Sequence, residues 1–287
     1  MMNYQILTDS GSDLPKELVQ QLELSLIPLS VNFDGQTLPD TVDGNIRELY
    51  QGFRDGKAAT TSAINPAAWA EAMKKILDQG QDVLTITFSS GLSTTYQSAV
   101  IAAEELKEAY PQRKILVVDS LCASLGQGML VYTAAKKRLA GMDMEALYQW
   151  LEENKLSQCH WFTVDDLSFL KRGGRVSATT ALVGTMLQIK PVLHVDDEGH
   201  LINVSKARGR KASIQALEKK MEELMLPDGN ETVFICHGDC IDDANYLAQL
   251  VKERCGVKEV IIGYTGAVIG SHSGPGTLAL FFFGSKR

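Results

Sequence analysis

The first half of the chain alternates strand-like and helix-like runs, and this alternation admits few architectures. "YQILTD" (Tyr4–Asp9) reads as a strand. "SDLPKELVQQL" follows as a helix, with Asp13 or Leu14 at its cap and Pro15 in its first turn. "LIPLSVNF" reads as a second strand, and "NPAAWAEAMKKILDQG" as a helix with Asn65 at the N-cap, Pro66 at the first position and Gly80 beyond the end. Strand "VLTITF", helix "TTYQSAVIAAEELKEAY", strand "KILVVDS", a helix over about 126–139 and the helix "MEALYQWLEENK" complete the series. Such alternation predicts an α/β fold, a three-layer α/β/α unit around a mostly parallel sheet.

The second half changes character. "HWFTVDDLSFLKRGGRVS" is irregular and punctuated by glycine. Beyond it, "IKPVLHV" and "HLINVSKA" flank the turn "DDEG", a hairpin pattern that requires an antiparallel pair. A helix over about 209–225, strand "TVFICH", helix "DDANYLAQLVKERC" and strand "KEVIIGY" follow. The expectation is a C-terminal α+β domain with a mixed sheet. The boundary falls near Gln158, giving domains 1–158 and 159–287, in keeping with a length of 287 residues.

Composition narrows the function classes. A net charge of -7 argues against nucleic acid as a partner. The apolar run "LALFFFG" is too short to span a bilayer, and "MMNYQILTDS" lacks the apolar stretch of a signal peptide, so the expected location is the cytoplasm. Five cysteines at scattered spacing fit reduced thiols. "CHGDC" (236–240) has no second Cys/His pair at finger-like spacing, and we expect no metal there. Charge is uneven: residues 171–220 hold ten Lys/Arg against four Asp/Glu, a basic stretch in an acidic chain. Such a stretch is either a solvated face or a docking surface for a phosphate or an acidic partner.

Ligands of open parallel sheets bind beyond the carboxyl ends of strands. Three hydroxyl-rich segments stand there: "TDSGSD" (8–13), "FSSGLSTT" (88–95) and "VDSLCAS" (118–124). The loop "ATTSAINP" (59–66) is similar and precedes a helix N-terminus, a place suited to an anion. None of them carries the phosphate loop G-x-x-x-x-G-K-[ST] or G-x-G-x-x-G. In the tail "GYTGAVIGSHSGPGTLALFF", five glycines crowd around His272, which reads either as a turn residue or as an imidazole held over a ligand. One reading of these parts is a serine hydrolase, with Ser93 as nucleophile, His272 as base and Asp9 or Asp119 as orienting acid. The motif Gly91-Leu92-Ser93-Thr94-Thr95 lacks the second glycine of the G-x-S-x-G elbow, and β-branched Thr95 occupies its place. A regulatory or scaffolding protein without catalytic activity is another reading.

The ordered series "TDSGSDLP", "TTSAINP", "SSGLSTTYQSA", "VVDSLCASLGQG", "LKRGGRVS", "IKPVL", "KARGRKAS" and "GAVIGSHSGPGTL" resembles the DegV family over the whole length, including its kinase-associated fatty acid-binding subunits. The resemblance implies two α/β-type domains and a long-chain fatty acid, palmitate for example, as a bound ligand without a cofactor. It implies carboxylate contacts that fall on Thr61, Ser93 and His272, with Ser62 a neighbouring candidate, and a C-terminal domain that contributes His272 and part of the acyl pocket. It further implies that the chain is no enzyme itself and presents its lipid to a separate ATP-dependent fatty acid kinase, which forms an acyl-phosphate. Arg172, Arg175, Arg208 and Arg210 are then the candidates for docking that partner. Two departures stand out: Ala63-Ile64-Asn65-Pro66 replaces the family's usual Gln-Pro-Ser-Pro, and Thr94 stands where the family often has glycine.

Overall fold

A parallel sheet forms the centre of the first half because its strands are apolar toward both faces. The computed structural model describes residues 3–40, 45–176, 188–228 and 230–287. Ser177, which ends the motif "LKRGGRVS", lies outside them. The strands β1 (Tyr4–Asp9), β2 (Ser25–Ile27), β6 (Asp82–Thr87) and β7 (Ile115–Asp119) pair in the order β2-β1-β6-β7, all parallel. Side chains alternate across this sheet as strand geometry demands. Leu7, Val83 and Ile115 join one core with the helices α3 (Pro66–Leu77) and α4 (Thr95–Ala109). Ile6, Leu84, Ile86 and Val118 join the other, with α5 (Leu125–Leu139) and α6 (Met144–Asn154). The three-layer α/β/α arrangement expected from the alternation is present.

The mixed sheet of the second half has six strands in the order β10-β9-β8-β13-β11-β12. These are β8 (Gln158–Thr163), β9 (Ile189–Val195), β10 (Leu201–Arg208), β11 (Thr232–His237), β12 (Glu259–Tyr264) and β13 (Leu278–Phe283). β9 and β10 form the antiparallel hairpin, while β11 and β12 run parallel. One face packs on α8 (Arg210–Leu224) and α9 (Ile241–Cys255) through Ile214, Leu217, Met221, Leu247 and Val251. The other face, with Phe162, Phe234, Ala279 and Phe281, lies in the same core as α5 and Ile86. The helix α5 is therefore shared hydrophobic ground between the two sheets.

Four local expectations need correction. "LIPLSVNF" is two strands, not one: β2 ends at Ile27 and β3 (Ser30–Phe33) starts a separate sheet. Pro28 lies at the break, and proline cannot donate to a ladder. Residues 59–62 are not loop but strand β5 (Ala59–Ser62), paired antiparallel with β3, while β4 (Gln36–Pro39) covers the far edge of β3. "HWFT" is not irregular, for it belongs to β8, whose six residues are all buried. A strand buried on both faces shows no polar alternation and escapes a pattern search. The first helix, α1 (Lys16–Gln21), takes Pro15 as its N-cap residue, so Asp13 and Leu14 precede the cap.

The remaining helices are α2 (Ile46–Arg54), α7 (Ser168–Arg172) and α10 (Ala267–Ser273). Among the described residues no helix is long and apolar enough to cross a membrane. The N-cap of α3 is as the sequence predicts: the Asn65 side chain accepts from the Ala68 N–H at 2.9 Å, with Pro66 next in line. Replacing Asn65 with alanine orphans that donor. Asn65→Ala should lower unfolding free energy by about 1 kcal/mol, read from urea denaturation. An unchanged midpoint would mean the cap contributes nothing.

Candidate functional site

The loops beyond β1 and β6 are tied together by buried carboxyl groups. Asp9, at the end of β1, accepts from the Gly11 N–H at 2.9 Å and the Phe88 N–H at 2.8 Å. The Gln127 amide on α5 also approaches it, at 3.3 Å. Asp40 accepts from the Ser10 hydroxyl at 2.8 Å and from the Val268 N–H at 3.0 Å. Asp13 accepts from the Ser124 hydroxyl. Its backbone is left-handed (φ 51°), and a Cβ on Gly266 would fall 2.4 Å from its carboxyl oxygen. Asp13 and Asp40 thus grip the start of α10, the short helix that carries His272. Burial, and for Asp13 the Asp40 charge, pushes both carboxyls above their ordinary range.

A cavity of about 530 Å³ opens beneath these loops, between the first half and the inner face of the mixed sheet. That size is ordinary for a small-molecule pocket. Its body is hydrocarbon: Leu29, Phe88, Leu92, Phe162, Leu170, Val195, Leu201, Val268, Ile269, Ala279 and Phe281. Thr61, Ser62, Ser93, Arg175 and His272 also line it. Thr61 comes from β5 and His272 from α10, and Thr61 Oγ1 lies 2.7 Å from His272 Nε2. The Nδ1 side of the ring packs on Gly173, where a Cβ would sit 2.2 Å from Nδ1, so only glycine fits. Burial pulls the His272 pKa down to about 4, helped by the nearby Arg175 charge. The imidazole is therefore neutral near pH 7.

Ser93 behaves first as a turn residue. Its hydroxyl shares a hydrogen bond with the Thr95 hydroxyl at 2.8 Å and accepts from the Thr95 N–H at 3.2 Å, at the start of α4. Gly91 is glycine because the β9–β10 turn presses against it: a Cβ would lie 2.7 Å from the Glu198 carbonyl oxygen. Close approach, not a nucleophile elbow, explains that position. Hydrolase geometry is not assembled. Ser93 and His272 hydrogen-bond to different threonines. Asp9 and Asp119 accept from backbone N–H groups, those of Ser90 and Leu121 in the case of Asp119.

The four arginines part company. Arg175, half-buried, lines the cavity and donates from Nε to the Leu92 carbonyl at 3.3 Å. Arg172, exposed, stacks over the Phe169 ring at 4.4 Å. It lines a second cavity of about 350 Å³ that shares Thr61, Arg175 and His272 with the first and adds Lys57. Arg208 is exposed at the end of β10. Arg210 is held by Asp243, with Nε 2.8 Å from the carboxylate. Cys236 is buried in β11, accepts from the Thr265 hydroxyl and has its Sγ 3.3 Å from the Ser124 oxygen. Among the described residues no three metal-binding side chains cluster. Sequence reasoning missed the cavity role of Arg175 and the anchoring role of Asp13 and Asp40. Asp40 carried no signal, since it sits alone after a short exposed strand.

The fold and site define a class: an α/β protein with an apolar cavity that meets hydroxyls and a neutral imidazole. A family model described as an uncharacterised protein of the DegV family matches residues 3–285. The chain belongs to the DegV family. It is 44% identical to the DegV domain-containing protein CPE0026 of Clostridium perfringens, covering 100% of this chain and 99% of the relative. Among solved structures it is similar to a DegV family protein from Thermus thermophilus, described as fatty acid binding, with 34% identity, a TM-score of 0.87 and coverage of 99% and 100%. It is likewise similar to DegV, a fatty acid binding protein from Bacillus subtilis, at 30% identity and a TM-score of 0.82, covering 99% and 100%. A stearic acid-binding protein from Eubacterium ventriosum aligns with a TM-score of 0.85 at 26% identity, over 97% and 98% of the two chains.

The buried acids set a pH dependence. Burial pushes the Asp9 pKa from 3.8 to about 7. The folded state thus favours the protonated form, so this contribution is full below about pH 4 and is lost as pH rises through about 7. Wild-type unfolding free energy should fall more steeply than that of Asp9→Asn between those limits, by up to about 1.4 kcal/mol per pH unit. Parallel curves would show that Asp9 does not titrate there.

Proposed function

We propose that this chain binds a long-chain fatty acid in the cavity and presents it to a separate ATP-dependent fatty acid kinase. The observation that carries the reading is an apolar cavity of about 530 Å³ shared by Thr61, Ser93 and His272. A sixteen-carbon acid buries about fourteen methylenes, worth roughly 0.8 kcal/mol each, or on the order of 11 kcal/mol before the costs of binding. The hydrocarbon then dominates affinity, and the polar group sets orientation. In this reading the neutral His272 donates from Nε2 to the Thr61 oxygen, which frees the Thr61 hydroxyl to donate to the carboxylate. Ser93, turning from Thr95, supplies a second charge-assisted bond, and Ser62 stands beside them. The domain division at about Gln158 belongs to the same proposal, with the lipid lying between 1–158 and 159–287. Fatty acid-binding relatives of the same fold support the ligand class.

Native mass spectrometry of the purified protein should show a co-purified mass equal to a long-chain fatty acid. Ser93→Ala should weaken binding of palmitate about tenfold or more, as expected for one charge-assisted bond. Ester hydrolysis abolished by the same substitution, with no lipid carried, would instead favour a hydrolase.

In the proposed presentation, Arg172 and Arg208 face the kinase, because both are exposed and neither is held in an ion pair among the described residues. Arg210 is held by Asp243, and Arg175 contributes from the cavity wall. Reversing the charge at Arg172 and Arg208 together should cut acyl-phosphate formation by an added fatty acid kinase while palmitate affinity stays within about twofold. Undiminished turnover would remove the docking role.

A further inference from the structure

The second cavity, of about 350 Å³, differs from the first in charge. Lys57, Arg172 and Arg175 line it, and among the described residues no aspartate or glutamate does. The chain as a whole has a net charge of -7, so three cations on one wall run against its composition. A cleft lined by one sign of charge concentrates ligands of the other sign.

Local structure sets these side chains in place. The helix α2 ends where Gly56, with φ 84°, turns the chain back. The Lys57 N–H then reaches the Gly52 carbonyl at 2.9 Å and the Gly56 N–H the Phe53 carbonyl at 3.1 Å. The helix α7 ends the same way at Gly174, with φ 71°. There the Arg175 N–H reaches the Leu170 carbonyl and the Gly174 N–H the Lys171 carbonyl, both at 3.0 Å. Arg172 is the last residue of that helix. The two caps occupy terminal carbonyls whose partial negative charge would otherwise oppose an anion.

The three cations keep donors in reserve. Arg172 stacks over Phe169 and makes no ion pair or hydrogen bond among the described residues. Arg175 donates from Nε and Nη1 to the carbonyls of Leu92 and Gly173, and its Nη2 has no partner among the described residues. Lys57 pairs with Asp34 at 2.8 Å, but the two side chains are 48% and 66% exposed. A surface pair of this kind contributes little and is easily exchanged. Thr61, Arg175 and His272 belong to both cavities. The head-group site of the proposed function is therefore the wall between an apolar space and a cationic one.

We propose that the second cavity holds the phosphoryl group of a long-chain acyl phosphate while its acyl chain stays in the first. In the kinase reaction a carboxylate oxygen attacks the γ-phosphorus of ATP. The bond from that phosphorus to the bridging oxygen breaks, and ADP leaves with the electron pair, with no proton transferred. A phosphoryl group carries a charge of about -1.5 to -2 near neutral pH and has three strong acceptor oxygens. Hydroxyls and a neutral imidazole suit a carboxylate, whereas this larger charge calls for cations. The inference rests on the reading given under the proposed function, and it assigns Lys57 and Arg172 to binding of the product.

The test uses the full, delipidated chain with no kinase present, so docking of a partner does not contribute. The ligands are palmitate and 2-oxoheptadecylphosphonate, a stable analogue of palmitoyl phosphate with a methylene in place of the bridging oxygen. In the double variant Lys57→Gln/Arg172→Gln, affinity for the phosphonate should fall about tenfold or more, while that for palmitate stays within about twofold. The same ratio of phosphonate to palmitate affinity in both proteins would overturn the assignment. Should the variant not fold, side-chain NMR of the unmodified protein decides. The Lys57 and Arg172 resonances should shift with the phosphonate and stay in place with palmitate, and equal spectra with both ligands would overturn the proposal. Palmitate that binds alongside an unchanged ratio defeats only the phosphoryl site, whereas palmitate that does not bind defeats the fatty-acid reading as well.

Discussion

A hydrogen bond of 2.7 Å joins Thr61 on a three-stranded sheet of the first half to His272, 211 residues later. Several otherwise separate features serve that contact. The strand β5 exists because β3 pairs with it, and Val31 stands opposite Thr61 in the register. The helix α10 is only seven residues long, too short to be stable alone. Asp40 secures it by accepting from the Val268 N–H, and Asp13 packs against Gly266 at its N-cap. Gly173 lets the imidazole lie flush against the backbone. Loss of any one support should loosen the ring's hold on the cavity wall, although neither Asp13 nor Asp40 need touch a ligand.

The same logic explains the carboxyl groups. Three buried acids near one another would repel if all were ionised. Burial raises their pKa values, and most of their oxygens accept from an N–H or hydroxyl donor. The cluster links β1, β6, α5 and α10 through Asp9, Gln127, Asp40 and Val268. It is structural chemistry placed where the parallel sheet would ordinarily offer a ligand site. The cavity lies instead one layer further on, against the mixed sheet.

Much of the fold was legible because period and punctuation agreed. Asn65-Pro66 marked α3, and the alternation of strands with helices marked the parallel sheet. The strand β8 was not legible, because Cys159 and Trp161 face one core while His160 and Phe162 face the other cavity-lined side, so every position is buried. The division of "LIPLSVNF" depended on where its two parts find partners, which is a tertiary fact. Within the site, Thr61, Ser62, Ser93 and His272 were readable from motif order, and all four line one cavity. Arg175 was grouped with the other basic residues because charge density does not report direction. Only the packing of its guanidinium against Leu92 separates it from Arg172 and Arg208.

The electrostatics of the cavity bear on what a carrier must do. Arg175 is the one full positive charge on its wall among the described residues, and it spends donors on the backbone carbonyls of Leu92 and Gly173. His272 is neutral near pH 7, and most of the other polar groups on the wall are hydroxyls. A site that clamped a carboxylate between two guanidinium groups would hold it tightly and withdraw its electron density. In the proposed role the carboxylate must still attack a phosphoryl group held by another protein. Hydroxyl donors and a neutral imidazole orient it with bonds that can be exchanged as the partner arrives. The apolar wall meanwhile keeps the chain in place, since its contribution to affinity does not depend on the head group. Retention and reactivity are then assigned to different surfaces of one cavity, and a change to either should leave the other largely intact.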